Sequence, residues 1–93
     1  MYATVRVYAD SPELADALAA RADDVKQLLK GIDGFQAYYL VKTDGGAVSV
    51  SVYDNESGAS ESNSTAAAWL RENMPDLPGA TPQISAGEVV VTA

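Results

Sequence analysis

The chain contains no cysteine and no histidine. Without cysteine there is no disulfide framework, no thiolate nucleophile and no thiolate metal site. Without histidine a Ser–His catalytic pair is excluded. Basic residues are also scarce, six Lys and Arg against thirteen Asp and Glu, for a net charge of −7. Nonspecific nucleic-acid binding is driven by Lys and Arg displacing counterions, so a phosphate-tracking surface is not expected, and no strand carries an RNP-type aromatic motif. The acidic balance is read as a solubility feature. No apolar run approaches the roughly 18 residues of a membrane span. The opening MYATVRVYAD has neither a basic n-region nor an apolar h-region, so a cytoplasmic protein without a secretory signal is expected. P-loop, GxGxxG, CxxC and HExxH patterns are absent. The carboxylate pairs Asp23/Asp24 and Asp10/Glu13 fall on an exposed helix or its cap with no base or nucleophile beside them, which gives metal or glycosidase-like chemistry little support. No metal and no cofactor are expected.

What is present reads as a folded α+β protein. Ninety-three residues with 47% apolar content are expected to form one domain over 1–93. Residues 2–8 alternate as a strand, Ala3, Val5 and Val7 against Tyr2, Thr4, Arg6 and Tyr8. Ser11 and Pro12 suit the start of a helix, and Leu14, Leu18, Ala22, Val25, Leu28/Leu29 and Ile32 continue it as one apolar stripe. Gly31 or Gly34 supplies the left-handed exit. A second strand, GFQAYYLVK, spans about 34–42, and Asp44-Gly45-Gly46 turns it into a third, GAVSVSVY. Asp54 or Asn55 caps a second helix that runs to about Asn73, with Ala59, Asn63, Ala66, Ala67, Leu70 and Met74 on one side. Pro75, Pro78 and Pro82 make a stiff connection, and QISAGEVVVT is the last strand, with Gly87 a candidate bulge.

The order β-α-β-β-α-β with right-handed crossovers predicts a ferredoxin-like sandwich. Its antiparallel sheet has four strands in the order 4-1-3-2, with two helices on one face. Two helices cover only one face. Val5, Val7, Val48, Val50 and Val52 are the expected partners of the helical stripes. Arg6, Tyr8, Tyr38, Leu40, Ser49, Ser51 and Tyr53 then share the uncovered face. Three tyrosines and a leucine form a large patch to leave in water, so this face is assigned as the interface of a two-fold homodimer.

The runs GFQAYY, AVSVSVYDN, ESNSTAAAWLREN and ISAGEV resemble the small bacterial antibiotic biosynthesis monooxygenase-like proteins of the dimeric α+β barrel superfamily, over nearly the whole chain. The resemblance implies a homodimer whose sheets join into an α+β barrel with helices outside. It also implies a pocket in each protomer between sheet and helices. In better understood members that pocket oxidises a polycyclic aromatic compound without metal or flavin, or binds and degrades haem. Haem degraders rely on a histidine after the second-helix tryptophan, which this chain lacks. The cofactor-free oxygenases use Asn, Trp, Tyr and Arg around an electron-rich phenolic substrate. Trp69 fits the second-helix tryptophan, with Asn63, Asn73, Tyr39 and Arg71 as companions.

The candidate pocket is therefore Trp69, Tyr39, Asn63 and Asn73, on the valine side of the sheet. Trp69 is read chiefly as a core anchor and secondarily as an aromatic wall. Tyr38 and Tyr39, being adjacent, face opposite ways, the first to the interface and the second to the pocket. Arg6 is read as half of a buried ion pair with an acidic neighbour such as Glu88, or alternatively as an anion-binding group. The polar run Glu61, Ser62, Asn63 is read as a solvated helix face rather than a pocket mouth. Three functions compete: a barrel protein binding a small aromatic metabolite, a cofactor-independent monooxygenase of a phenolic or quinone-like substrate, and a non-catalytic regulatory or assembly module.

Overall fold

A computed structural model describes residues 1–77 and 81–93. Pro78, expected to stiffen the last connection, lies outside the described residues. The elements are β1 (Tyr2–Tyr8), α1 (Leu14–Ala19), α2 (Ala22–Lys30), β2 (Phe35–Thr43), β3 (Gly46–Tyr53), α3 (Glu56–Asn73) and β4 (Gln83–Glu88). The four strands form one sheet in the order β2-β3-β1-β4, all neighbours antiparallel, which is the predicted ferredoxin-like arrangement. None of the described helices is long and apolar enough to cross a membrane.

Several local features follow from residue chemistry. Gly34 (φ 84°) and Gly45 (φ 81°) take left-handed backbone, the first on leaving the α2 region and the second in the two-residue turn between Thr43 and Gly46. Asn55 caps α3, its side chain accepting from the Gly58 amide at 3.1 Å. The first helix differs from expectation. Its single stripe is divided between α1 and α2, and the chain turns at Ala20–Arg21, where the Arg21 amide bonds the Leu18 carbonyl at 3.0 Å in a tightened turn. Neither glycine nor proline marks the break, so periodicity reads straight through it. Ser11 and Pro12 precede α1 in a turn, and Glu13 takes the cap position without a side-chain bond. The irregularity of the sheet lies in β2 between Phe35 and Ala37, whereas β4 stays in register with β1 through Gly87. Beyond Glu88 the expected last strand stops, save for one bond from the Val89 amide to the Met1 carbonyl.

The largest correction concerns which face of the sheet the helices cover. Thr4, Arg6, Tyr8, Ser49, Ser51 and Tyr53 are all buried, and Tyr38 and Leu40 pack against the core. Register places them together: Arg6 and Leu40 flank Ser49, and Thr4 and Tyr38 flank Ser51. The face expected to be uncovered is thus the one under the helices. The valine face is left open, with Val7 38%, Val41 48% and Tyr39 64% exposed. The physical reason lies in α3, which approaches the sheet along small residues, Gly58, Ala59 and Ser62, all buried. A Cβ on Gly58 would come within 3.0 Å of the Asp33 carbonyl oxygen and Tyr53 Cδ1. At that distance the helix brings Ser62 and Asn63 to the polar strand face, where they satisfy groups that otherwise could not be buried.

Candidate functional site

Arg6 lies at the centre of the covered face, on an inner strand, and is 2% exposed. Its Nε donates to Ser49 Oγ at 2.9 Å, and one terminal nitrogen, Nη2, donates to Ser51 Oγ at 2.6 Å. The other, Nη1, donates to Asn63 Oδ1 at 2.9 Å and to Ser62 Oγ at 3.3 Å. Asn63 Oδ1 also accepts from Thr4 Oγ1 at 3.0 Å, and Ser62 Oγ donates to the Ala59 carbonyl at 2.6 Å. Partners on β3 and α3 thereby fix the guanidinium. Every partner is a neutral oxygen. The ion pair expected with Glu88 is absent, because Arg6 is paired with Ile84 in the sheet and Glu88 lies opposite Tyr2. Among the described residues the ion pairs are Arg21–Asp24 and Lys42–Asp16, both exposed. Among the described residues no carboxylate pairs with Arg6, which is a buried cation held by neutral partners.

Beside it is a cavity of about 20 Å³, room for about one water molecule. Arg6, Tyr8, Tyr38 and Ser49 form its sheet wall. Leu18, Val25, Leu28 and Leu29 close it from α1 and α2, and Ala66, Trp69 and Leu70 close it from α3. Burial pushes the phenol ionisations of Tyr8 and Tyr38 above their ordinary value, while the Arg6 charge pulls more weakly in the opposite direction. Both therefore remain protonated hydrogen-bond donors at neutral pH. Tyr53, also raised by burial, donates to the Leu29 carbonyl at 2.9 Å and does not line the cavity.

The candidate pocket residues separate on this map. Trp69 does line the cavity, half-buried and packed against the core, with the Arg21 guanidinium 5.0 Å from its ring centroid. Asn63 is part of the Arg6 network rather than the cavity wall. Asn73 is exposed at the end of α3, its amide donating to the Trp69 carbonyl at 2.9 Å and its oxygen accepting from Arg21 at 3.3 Å. Arg71 is exposed in the same last turn. Tyr39 points away from the helices onto the open valine face, so it is no part of this site.

Arg6, Tyr8, Tyr38 and Ser49, assigned from the sequence to a subunit interface, are the polar wall of the cavity. Ser62, read as part of a solvated helix face, is buried within the Arg6 network. The signal available in the sequence was their number: an arginine, two serines and three tyrosines on one strand face require partners, and ESNS in the next helix can supply them. Among the described residues no group of three Asp or Glu side chains is placed to hold a metal.

No protein-family model matches this sequence, and neither does any curated protein. Solved structures do match it in fold. A protein of unknown function from Nitrosomonas europaea, NE2512, superposes with a TM-score of 0.69 at 24% identity, covering 99% of this chain and 90% of that one. A second N. europaea protein, assigned to the antibiotic biosynthesis monooxygenases, gives a TM-score of 0.72 at 11% identity over 98% of this chain and 100% of that one. The ActVA-Orf6 monooxygenase of Streptomyces coelicolor, solved with the ligand nanaomycin D, gives 0.60 at 22% identity over 98% and 91%. The chain has the ferredoxin-like fold of the antibiotic biosynthesis monooxygenase-like proteins.

Proposed function

We propose that this protein is a homodimer that binds a small aromatic metabolite between the sheet and the helices, at the Arg6 cavity widened by outward movement of its helical wall. The observation that carries the reading is Arg6, a buried cation held by four neutral side chains at the wall of a cavity lined, Ser49 apart, by aliphatic and aromatic groups. A buried charge without a partner is costly. It is retained most economically where a ligand completes it. Trp69 across the cavity supplies a ring face.

The dimer rests on the open face of the sheet. Val5, Val7, Val48, Val50 and Val52 share it with Tyr39 and Val41, an apolar surface of the kind that marks an interaction site. Packing two such faces together buries them both, and the interface moves from the serine–tyrosine face to the valine face.

Binding is favoured over turnover by the cavity's own chemistry. Its ionisable groups are Arg6, Tyr8 and Tyr38, and none accepts a proton at neutral pH, so the wall carries no general base. The likeness to a ligand-bound monooxygenase keeps cofactor-independent oxygenation as the second reading. In that reaction an anthrone would take one atom of dioxygen to become an anthraquinone, the second atom leaving as water and the electrons coming from the substrate. The test is oxygen uptake with a panel of anthrones and hydroquinones, run beside a titration that follows the fluorescence of Trp69, the sole tryptophan. Saturable fluorescence change without oxygen uptake supports binding alone. Uptake abolished in Trp69→Ala establishes the oxygenase, and no response in either channel removes both readings.

A further inference from the structure

Resting on that binding reading, we infer that the ligand of the cavity is an aromatic monocarboxylate, its carboxylate set beside Arg6 and the hydroxyls of Tyr8 and Tyr38. Charge comes first. The cavity wall carries one cation and no anion, so a ligand with a single negative charge leaves the buried site neutral, whereas a neutral ligand leaves Arg6 uncompensated and a dianion over-compensates it.

Donor geometry comes second. A guanidinium has five N–H groups, and four of them are engaged by Ser49, Ser51, Ser62 and Asn63. Arg6 therefore does not offer a free fork for two-point binding. Tyr8 lines the cavity beside Arg6, and its phenol has an O–H to donate. Tyr38 lines the same cavity, and its hydroxyl is a second donor. Two O–H donors backed by a fixed positive charge match the two oxygens of a carboxylate. A carboxylate is moreover ionised throughout the neutral range without help from the protein, whereas a simple phenol is not.

The aromatic part follows from the rest of the lining, which is aliphatic apart from Ser49 and Trp69. With room for about one water, the cavity can take the carboxylate oxygens in place of that water. A ring is admitted only if Trp69 and α2 move outward. Trp69 is then both wall and reporter.

The experiment compares benzoate with benzamide, which is nearly the same shape but uncharged, and with phenol, each titrated against the intact protein at pH 7 and read by Trp69 emission. Benzoate is expected to bind about tenfold or more tighter than either neutral probe, the scale of a charge-assisted hydrogen bond. Its binding should fall away as pH drops through the carboxyl range near about 4. In Arg6→Met, checked for fold by circular dichroism, the preference for benzoate should vanish. Should that variant not fold, the pH dependence in the unmodified protein carries the test. Benzamide or phenol binding as tightly as benzoate overturns the carboxylate assignment and leaves the aromatic site standing. Emission unmoved by all three probes overturns both.

Discussion

The guanidinium of Arg6 on β1 and the side-chain oxygen of Asn63 on α3 meet at 2.9 Å across the sheet–helix interface, and no carboxylate takes part. Asn63 Oδ1 is the acceptor for two donors at once, Arg6 Nη1 and Thr4 Oγ1. Asn63→Ala is therefore expected to cost about 2–3 kcal/mol, because it leaves a charged and a neutral donor unpaired in the interior. Urea unfolding measures this directly. A loss below about 0.5 kcal/mol would mean that the network is not the tie between helix and sheet described above.

The open valine face gives a separate expectation. Val50 is central to it, paired with Val5 on one side and Tyr39 on the other. Val50→Lys should convert the proposed dimer to a folded monomer, as followed by sedimentation or light scattering with circular dichroism unchanged. Ser51→Ala, on the covered face, should leave the oligomeric state as it was. The reverse pattern would return the interface to the serine–tyrosine side.

The buried phenols set a dependence on alkaline pH. Burial raises the ionisation of Tyr8, Tyr38 and Tyr53 above the ordinary 10.0, with Arg6 opposing it. The folded protein thus holds these protons more tightly than the unfolded chain does. Their contribution to stability is fully present below the unfolded value and declines as pH rises through that value toward the folded ones. Urea midpoints should fall above pH about 10, and less steeply in Tyr38→Phe. A midpoint independent of pH across that range would contradict the burial of these hydroxyls.

The β2–β3 turn offers a contrast between adjacent glycines. Gly45 has a φ of 81°, and an added Cβ would meet only the Ala9 carbonyl oxygen at an ordinary 3.8 Å, so Gly45→Ala should cost about 1–2 kcal/mol from backbone strain alone. Gly46 has no left-handed requirement, but its Cβ would fall 1.8 Å from the Tyr8 carbonyl oxygen. Gly46→Ala should cost about 3 kcal/mol or more, since backbone must shift. Thermal unfolding of the two variants ranks them, and equal losses would show that the strands are not so closely spaced here.

Much of this was legible before folding. Period-two alternation placed Arg6, Tyr8, Ser49, Ser51 and Tyr53 together on one face, and Asn55, Asp44-Gly45 and the Pro75 region marked where elements begin and end. Trp69 was recognisable as the aromatic of the second helix, and it does line the cavity. The break at Ala20–Arg21 was not legible, because the apolar spacing continues across it. Nor was the position of Tyr39, since adjacency to Tyr38 shows that the two oppose each other but not which is inside.

The sequence by itself determined the order of the strands, their pairing and the membership of each sheet face. Only the tertiary structure decided which face lies under the helices. Valines are the usual residues of a core, and the alternation favoured them. The small residues of α3 allow the helix to approach closely enough for Ser62 and Asn63 to satisfy Arg6. Once that cation is hydrogen-bonded, the polar face can be buried under the helices and the valine face left open. The balance turned on contacts separated by more than fifty residues in the chain, which no local pattern encodes.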